Sequence, residues 1–180
     1  LIWPGPVAAA ILMGLRRWWS QQKHGFKNNW VDMALIVQKY GGTSVGDVER
    51  IQGVAERVAR YRQAGHDVVV VVSAMSGETN RLMTLGQAIG GEKPDARELD
   101  VLLASGEQVT IALLSMALGQ IGIWARSFLG DQIAVQTDFA HGKARIEAID
   151  TQNLSSSLKQ GSVPVVAGFQ GVNADGDITT

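Results

Sequence analysis

The apolar positions of the chain fall into two rhythms, one of continuous runs and one of helical steps. Residues 34–39 are apolar and β-prone and end at a turn-forming run, Gly41-Gly42-Thr43-Ser44-Val45-Gly46. From Asp47 onward apolar residues recur as Ile51, Val54, Ala55, Val58 and Ala59, the steps of three and four that turn one helix face toward a core. That helix is expected to close at Gly65. Residues 67–73 (DVVVVVS) then form a valine run of the kind found in strands covered on both faces. Strand, helix and strand make one βαβ unit with a right-handed crossover. Residues 74–80 (AMSGETN) read as a loop, 81–89 as a short helix and 90–94 as a break. Residues 99–122 read as helical, with Ser105-Gly106-Glu107 interrupting them. Short strands are expected at 125–129 and 133–135 and a helix at 151–160. A buried strand at 163–168 and a turn at 173–176 between paired strands complete the reading. The pattern predicts an α/β sandwich with a mainly parallel sheet.

The character of the chain changes near Met33. Residues 1–32 hold Trp3, Trp18, Trp19 and Trp30 and a single acid, Asp32, whereas the remainder carries 12 basic against 16 acidic residues. A secretory signal places its positive charges ahead of the apolar stretch, but here residues 1–15 are uncharged and Arg16 and Arg17 follow them. That stretch is also too short for a membrane span. A basic, tryptophan-bearing surface anchor is disfavoured by Pro4, Gly5, Pro6 and Gly14, which should interrupt any helical stripe. Met33 directly precedes a clean strand. The expectation is therefore a domain over residues 33–180 with its natural start at Met33, and an upstream or non-native extension, residues 1–32, outside the fold.

Composition narrows the function classes. A chain of 180 residues can bury a real core, and 46% hydrophobic against 18% charged residues excludes a highly charged disordered chain. A formal net charge of -1 leaves no basic field for nucleic acid. Without cysteine there is no disulfide framework and no thiolate metal site. His24, His66 and His141 show no metal-ligand spacing. The 21 glycines suit tight strand-to-helix turns that bring backbone amides close to a ligand.

Three segments could carry chemistry. Lys39-Tyr40-Gly41-Gly42-Thr43-Ser44-Val45 lies where the first strand meets the first helix. Helix N-terminal amides and glycine backbones there would form an anion pocket, with Lys39 as a point charge for a phosphoryl group. It matches neither G-x-x-x-x-G-K-[ST] nor G-x-G-x-x-G, and a tight connection is the plain alternative. Ser73-Ala-Met-Ser-Gly-Glu-Thr-Asn80 follows the valine strand at the carboxyl edge, where open α/β sheets bind ligands, or it is an ordinary capping loop. Glu107 lies within an otherwise apolar stretch and should have a partner, either water or a backbone amide, or a substrate ammonium. Asp138 and His141 flank a loop that could lie near a site.

Taken together, KYGGTSV (39–45), VVVVSAMSGETN (69–80), ASGEQVT (104–110), HGKARI (141–146) and VAGFQGVN (166–173) resemble the amino-acid kinase family, within it the bacterial aspartate kinases. The resemblance implies a three-layer αβα sandwich, mainly parallel in its sheet, whose N-terminal lobe holds the amino acid and whose C-terminal lobe holds ATP. It also implies that the chain stops before the nucleotide-binding lobe. Position by position, Lys39 and the amides of Gly41 and Gly42 would contact the ATP phosphates, with Tyr40 contributing backbone. Ser73 and Thr79 would line the aspartate site, Glu107 would bind the substrate ammonium, and Gly168-Phe169 would form a close-packed wall beside it. ATP and Mg²⁺ are the implied cofactors, with no protein metal ligand. L-Aspartate is the implied substrate, in a cytoplasmic enzyme that is homo-oligomeric at full length, with no membrane or nucleic-acid partner. The implied reaction makes 4-phospho-L-aspartate for lysine, threonine and methionine synthesis. An aspartate carboxyl with a pKa of about 3.9 is ionised at neutral pH and needs no general base. Glutamate or acetylglutamate kinases are the near alternatives, and Glu107 speaks against the acetylated substrate, which has no ammonium. A non-catalytic small-molecule-binding subunit is the alternative from another class.

Overall fold

In the computed structural model, which describes residues 6–22 and 33–180, the valine run forms strand β2 (Asp67–Val72). Its side chains alternate between two dry layers. Val68, Val70 and Val72 enter a core with helices α2 (Val48–Gln63) and α4 (Ala96–Gln120). Val69 and Val71 enter a second core with α1 (Pro6–Gln22) and α5 (Gln152–Lys159). β2 pairs in parallel with β1 (Leu35–Tyr40) and β6 (Val163–Ala167), and β6 pairs in parallel with β3 (Ala125–Phe128). The sheet order is β1-β2-β6-β3, the αβα sandwich expected of buried parallel strands. A smaller mixed sheet joins β5 (Ile146–Ile149), β4 (Val135–Thr137), β7 (Gly171–Val172) and β8 (Ile178–Thr179) in that order. The turn expected at 173–176 does connect paired strands. Asn173 Oδ1 accepts from the amides of Asp175 and Asp177 at 3.0 and 2.9 Å.

Three elements depart from the sequence reading. Helix α3 (Glu78–Gly90) begins at Glu78, ahead of Arg81, because the left-handed Gly77 (φ 80°) turns the chain directly into it. α4 runs unbroken through Ser105-Gly106-Glu107. The Ser105 hydroxyl donates back to the Leu102 carbonyl at 2.6 Å, so it neither caps nor breaks the helix. At 133–135 a short 3-10 turn (Asp131–Ile133) precedes β4, with Ala134 at φ 42° redirecting the chain.

The largest departure is at the N-terminus. Residues Pro6–Gln22 form one continuous helix, with Pro6 in the first turn, where its missing amide hydrogen costs nothing. Val7, Ala8, Ile11 and Leu15 are buried against the layer that holds Val69, Val71 and Phe128. Burial of each large apolar side chain contributes about 1.5–3 kcal/mol. The expectation that residues 1–32 lie outside the fold therefore does not hold for α1. Gly14 does not interrupt the helix but lets it close on α5's approach, since a Cβ there would stand 2.7 Å from Thr151 Cγ2. Residues 1–5 and 23–32, with Trp3, Pro4, Gly5, His24, Trp30 and Asp32, lie outside the described residues. α4 is long and apolar enough to cross a membrane by length and composition, but Leu103, Ile111, Leu114 and Leu118 on it are buried within this molecule.

Candidate functional site

Because β1, β2 and β6 are parallel, the segments that follow them emerge at one edge of the sheet. Two backbone bonds lace these ends together. The Ser73 amide donates to the Tyr40 carbonyl at 3.1 Å, and the Gly168 amide donates to the Val72 carbonyl at 2.9 Å. After β1 the chain makes a 3-10 turn (Gly42–Val45). A Cβ on Gly42 would stand 3.0 Å from the Ala74 carbonyl oxygen, so glycine lets this turn press against the loop after β2. Arg50 holds the turn from the other side by donating from Nη1 to the Thr43 carbonyl.

Lys39 is exposed, and its Nζ lies 3.5 Å from where a Gly41 Cβ would stand, so the ammonium overhangs the glycine turn. The side chain of Tyr40 turns into the α2 layer, where its hydroxyl donates to Gln38 Oε1 at 2.8 Å and burial pushes the phenol up from its ordinary value. Only its backbone faces the edge. The α2 N-terminus differs from expectation. Asp47 caps it, accepting from the Arg50 amide at 2.8 Å and pairing with the Arg50 guanidinium at 3.3 Å, so a carboxylate already occupies that helix end. The donors open to an anion are then the amides at Gly41 and Gly42, which have no backbone acceptor among the described residues.

Glu107 arrives from α4. The helix passes so close to the loop after β2 that a Cβ on Gly106 would lie 2.9 Å from Ala74 Cβ. That contact explains the glycine which, in sequence, looked like a helix break. Glu107 is 2% exposed; its Oε1 accepts from the Ala74 amide at 3.0 Å, and its Oε2 has no hydrogen-bond partner. Burial pushes its carboxyl above the ordinary carboxylate range, and the Ala74 amide pulls it partly back. Of the two partners anticipated for Glu107, the backbone amide is present on one oxygen and the other oxygen is unanswered.

Ser73 is half-buried at the end of β2, and Thr79 is half-buried in the first turn of α3, which packs on α4. Glu78, beside it, forms a two-pronged pair with Arg81 at 2.8 and 2.7 Å, which lowers the Glu78 carboxyl. Gly168 joins the edge through its amide. Phe169 does not form a close-packed wall, being 45% exposed. Its neighbour Gln170 tucks inward instead, donating from Nε2 to the Ala104 carbonyl at 3.1 Å and accepting from the Gly130 amide at 3.4 Å, which turns residue 169 outward. Sequence reasoning missed Gln170. Its only signal was a polar residue between Phe169 and a glycine, within a segment otherwise read for its glycine and aromatic. Among the described residues no cluster of His, Asp or Glu could hold a metal ion.

A glycine-rich turn under a free ammonium and a buried carboxylate with one oxygen unanswered, at the carboxyl edge of a parallel sheet, are the parts of a small-molecule site. The amino acid kinase family model matches residues 34–180, and the chain belongs to that family. It is 61% identical over 149 residues to an aspartate kinase of Pseudomonas fluorescens, covering 82% of this chain and 36% of that one. To aspartokinase 2 of Bacillus subtilis it is 54% identical over 148 residues, with the same coverage. Among solved structures, an aspartate kinase from Synechocystis superposes with a TM-score of 0.68 at 47% identity, over 82% of this chain and 23% of that chain. E. coli aspartokinase III, determined with aspartate and ADP, superposes with a TM-score of 0.69 at 21% identity, over 82% and 43%, a likeness of fold. The chain thus spans about a third of the length of the curated relatives it matches.

Proposed function

We propose that this chain carries the amino-acid-binding part of an ATP-dependent kinase acting on the side-chain carboxylate of L-aspartate. The observation that carries this reading is Glu107: a buried carboxylate oxygen without a donor, beside the loop after β2, is matched by the ammonium of an α-amino acid. Ser73 and Thr79 supply hydroxyls along the same edge, and Gly168 closes it. The relatives named aspartate kinase supply the side chain to be accommodated.

The phosphate side of the site rests on Lys39 and the amides of Gly41 and Gly42, a fixed set of donors suited to phosphate oxygens. ATP would supply the phosphoryl group and Mg²⁺ would offset the charge of its phosphates, beside the donors that Lys39, Gly41 and Gly42 present. The aspartate side chain, already ionised, is the nucleophile, so the work of this chain is to hold it in line and offset negative charge. Sites for adenine and for the substrate α-carboxylate belong, in this reading, to the remaining length of the longer relatives. We infer that the 180-residue polypeptide binds aspartate without sustaining turnover. A cytoplasmic, homo-oligomeric full-length enzyme of lysine, threonine and methionine synthesis accompanies the same reading.

The test is a titration of isotope-labelled chain with L-aspartate and, separately, with N-acetyl-L-aspartate, which lacks the ammonium. The amides of Ser73 and Ala74 are expected to shift with the first and not with the second. Equal response to both, or none to either, would refute the assignment of Glu107.

A further inference from the structure

A second carboxylate is buried on the same face of α4. Asp100 stands two helical turns before Glu107 and is 1% exposed. Its Oδ1 accepts from the Gly142 amide at 3.1 Å and from the Thr180 hydroxyl; its Oδ2 accepts from the same amide at 3.1 Å and lies 2.8 Å from His141 Nδ1. These donors come from two separate segments, the loop between β4 and β5 and the end of β8. The segments are also joined to each other, because the Ala144 amide donates to the Thr180 carbonyl at 3.0 Å. The loop is preformed by Asp138, whose Oδ1 accepts from the amides of Ala140 and Arg145 at 3.2 and 3.1 Å. In the first turn of α4, Arg97 adds a pair to Asp177 at 2.8 Å and one to Glu98.

Three anchors therefore follow one another along this face. Asp100 holds the loop and the end of β8, the Ala104 carbonyl holds Gln170 after β6, and Glu107 holds Ala74 after β2. α4 is unbroken across all three, so a displacement at one anchor is carried to the next as a rigid movement.

We propose that Asp100, with His141, is a positioning residue for the aspartate site. It acts through α4 and the two segments it clasps, setting the height of Glu107 against Ala74, and does not itself touch the substrate. The proposal rests on the reading of Glu107 as the ammonium ligand. It goes beyond that reading by giving the sequence segment HGKARI a role, as the other half of the clasp.

The experiment uses the 180-residue chain and its Asp100→Ala, Asp100→Asn and His141→Gln variants, with two measurements on each: L-aspartate titration and amide hydrogen exchange. Asp100→Ala is expected to weaken aspartate binding roughly tenfold and to speed exchange at Ala74 roughly tenfold relative to Val70. Val70, in the centre of β2, reports global unfolding, so a merely structural loss speeds Val70 at least as much as Ala74 and leaves their ratio unchanged or lowers it. Asp100→Asn, which keeps an acceptor for Gly142 and Thr180, is expected to restore both measurements to within about threefold of the parent. An Ala74-to-Val70 ratio that is unchanged or lowered in Asp100→Ala overturns the proposal whatever the ligand does. If Asp100→Ala does not fold, His141→Gln is read in its place, with a smaller change in the same ratio expected and the same overturning result. Failure of the parent chain itself to bind aspartate strikes the reading of Glu107, and the exchange ratio alone then decides the clasp.

Discussion

Asp100 and Glu107 share one face of α4 and are withdrawn from water to the same degree, yet they meet opposite surroundings. Both oxygens of Asp100 have partners, an amide shared between them, a hydroxyl on one and an imidazole on the other. Glu107 receives one amide, and its second oxygen has no partner. The difference separates two uses of a buried charge. A carboxylate whose donors are all supplied by the fold holds segments together, and its loss strands those donors. A carboxylate left half-answered costs the fold stability until a donor arrives from outside. Burial alone does not mark a binding residue; the unanswered oxygen does.

Substitutions should separate the pair by sign as well as by size. The largest effect is expected from Asp100→Ala, which strands the Gly142 amide, the Thr180 hydroxyl and His141 and should lower unfolding free energy by about 3 kcal/mol. A loss within experimental error in urea unfolding would erase the distinction. Gly106→Ala is expected next, at about 1–2 kcal/mol, because the added methyl meets Ala74 Cβ at 2.9 Å and must push helix and loop apart. The same variant should weaken aspartate binding, since that loop carries Glu107's amide partner. Glu107→Gln should act the other way and stabilise the chain at neutral pH by removing a charge that burial disfavours, while aspartate binding is lost.

The smallest and sharpest effect is in pH. Burial raises the Glu107 carboxyl in the folded chain, so between its unfolded and folded values the folded state holds more protons. Its contribution to stability is fully present below the ordinary carboxylate range and is lost as pH rises through the folded value. The advantage of Glu107→Gln over the parent should therefore shrink as pH falls and open as pH rises. Thermal melts of both chains across mildly acidic to neutral pH check this, and a gap independent of pH would contradict it.

The central βαβ unit was legible because the valine run and the steps Ile51, Val54, Ala55, Val58 record burial directly, and their burial matches it. Lys39, the glycine turn and Glu107 were legible because an ammonium beside glycines and a charge among apolar residues are local anomalies. What escaped the reading depends on contacts distant in sequence. Gly106 looked like a helix break because the reason for it, Ala74, lies across the fold. Gly14 and Pro6 looked disruptive, yet one meets Thr151 and the other sits in a first turn. Asp100 gave no signal beyond one more acid at the start of a helix, since all its partners are some forty to eighty residues away. β5 is too short for a period of two to stand out, whereas β7 and β8 were legible only through the turn between them.

If Glu107 is a carboxylate that waits for an ammonium, its own titration must respond to one. The side-chain carboxyl of Glu107 can be followed by NMR through a pH series in the 180-residue chain, first alone, then with saturating L-aspartate, then with N-acetyl-L-aspartate. Alone, it should titrate above the ordinary carboxylate range; with L-aspartate, its midpoint should fall as the ammonium supplies the missing partner; with the acetylated compound, it should stay where it was. A free Glu107 that titrates in the ordinary range, or a raised midpoint indifferent to L-aspartate, would rule out that role for Glu107.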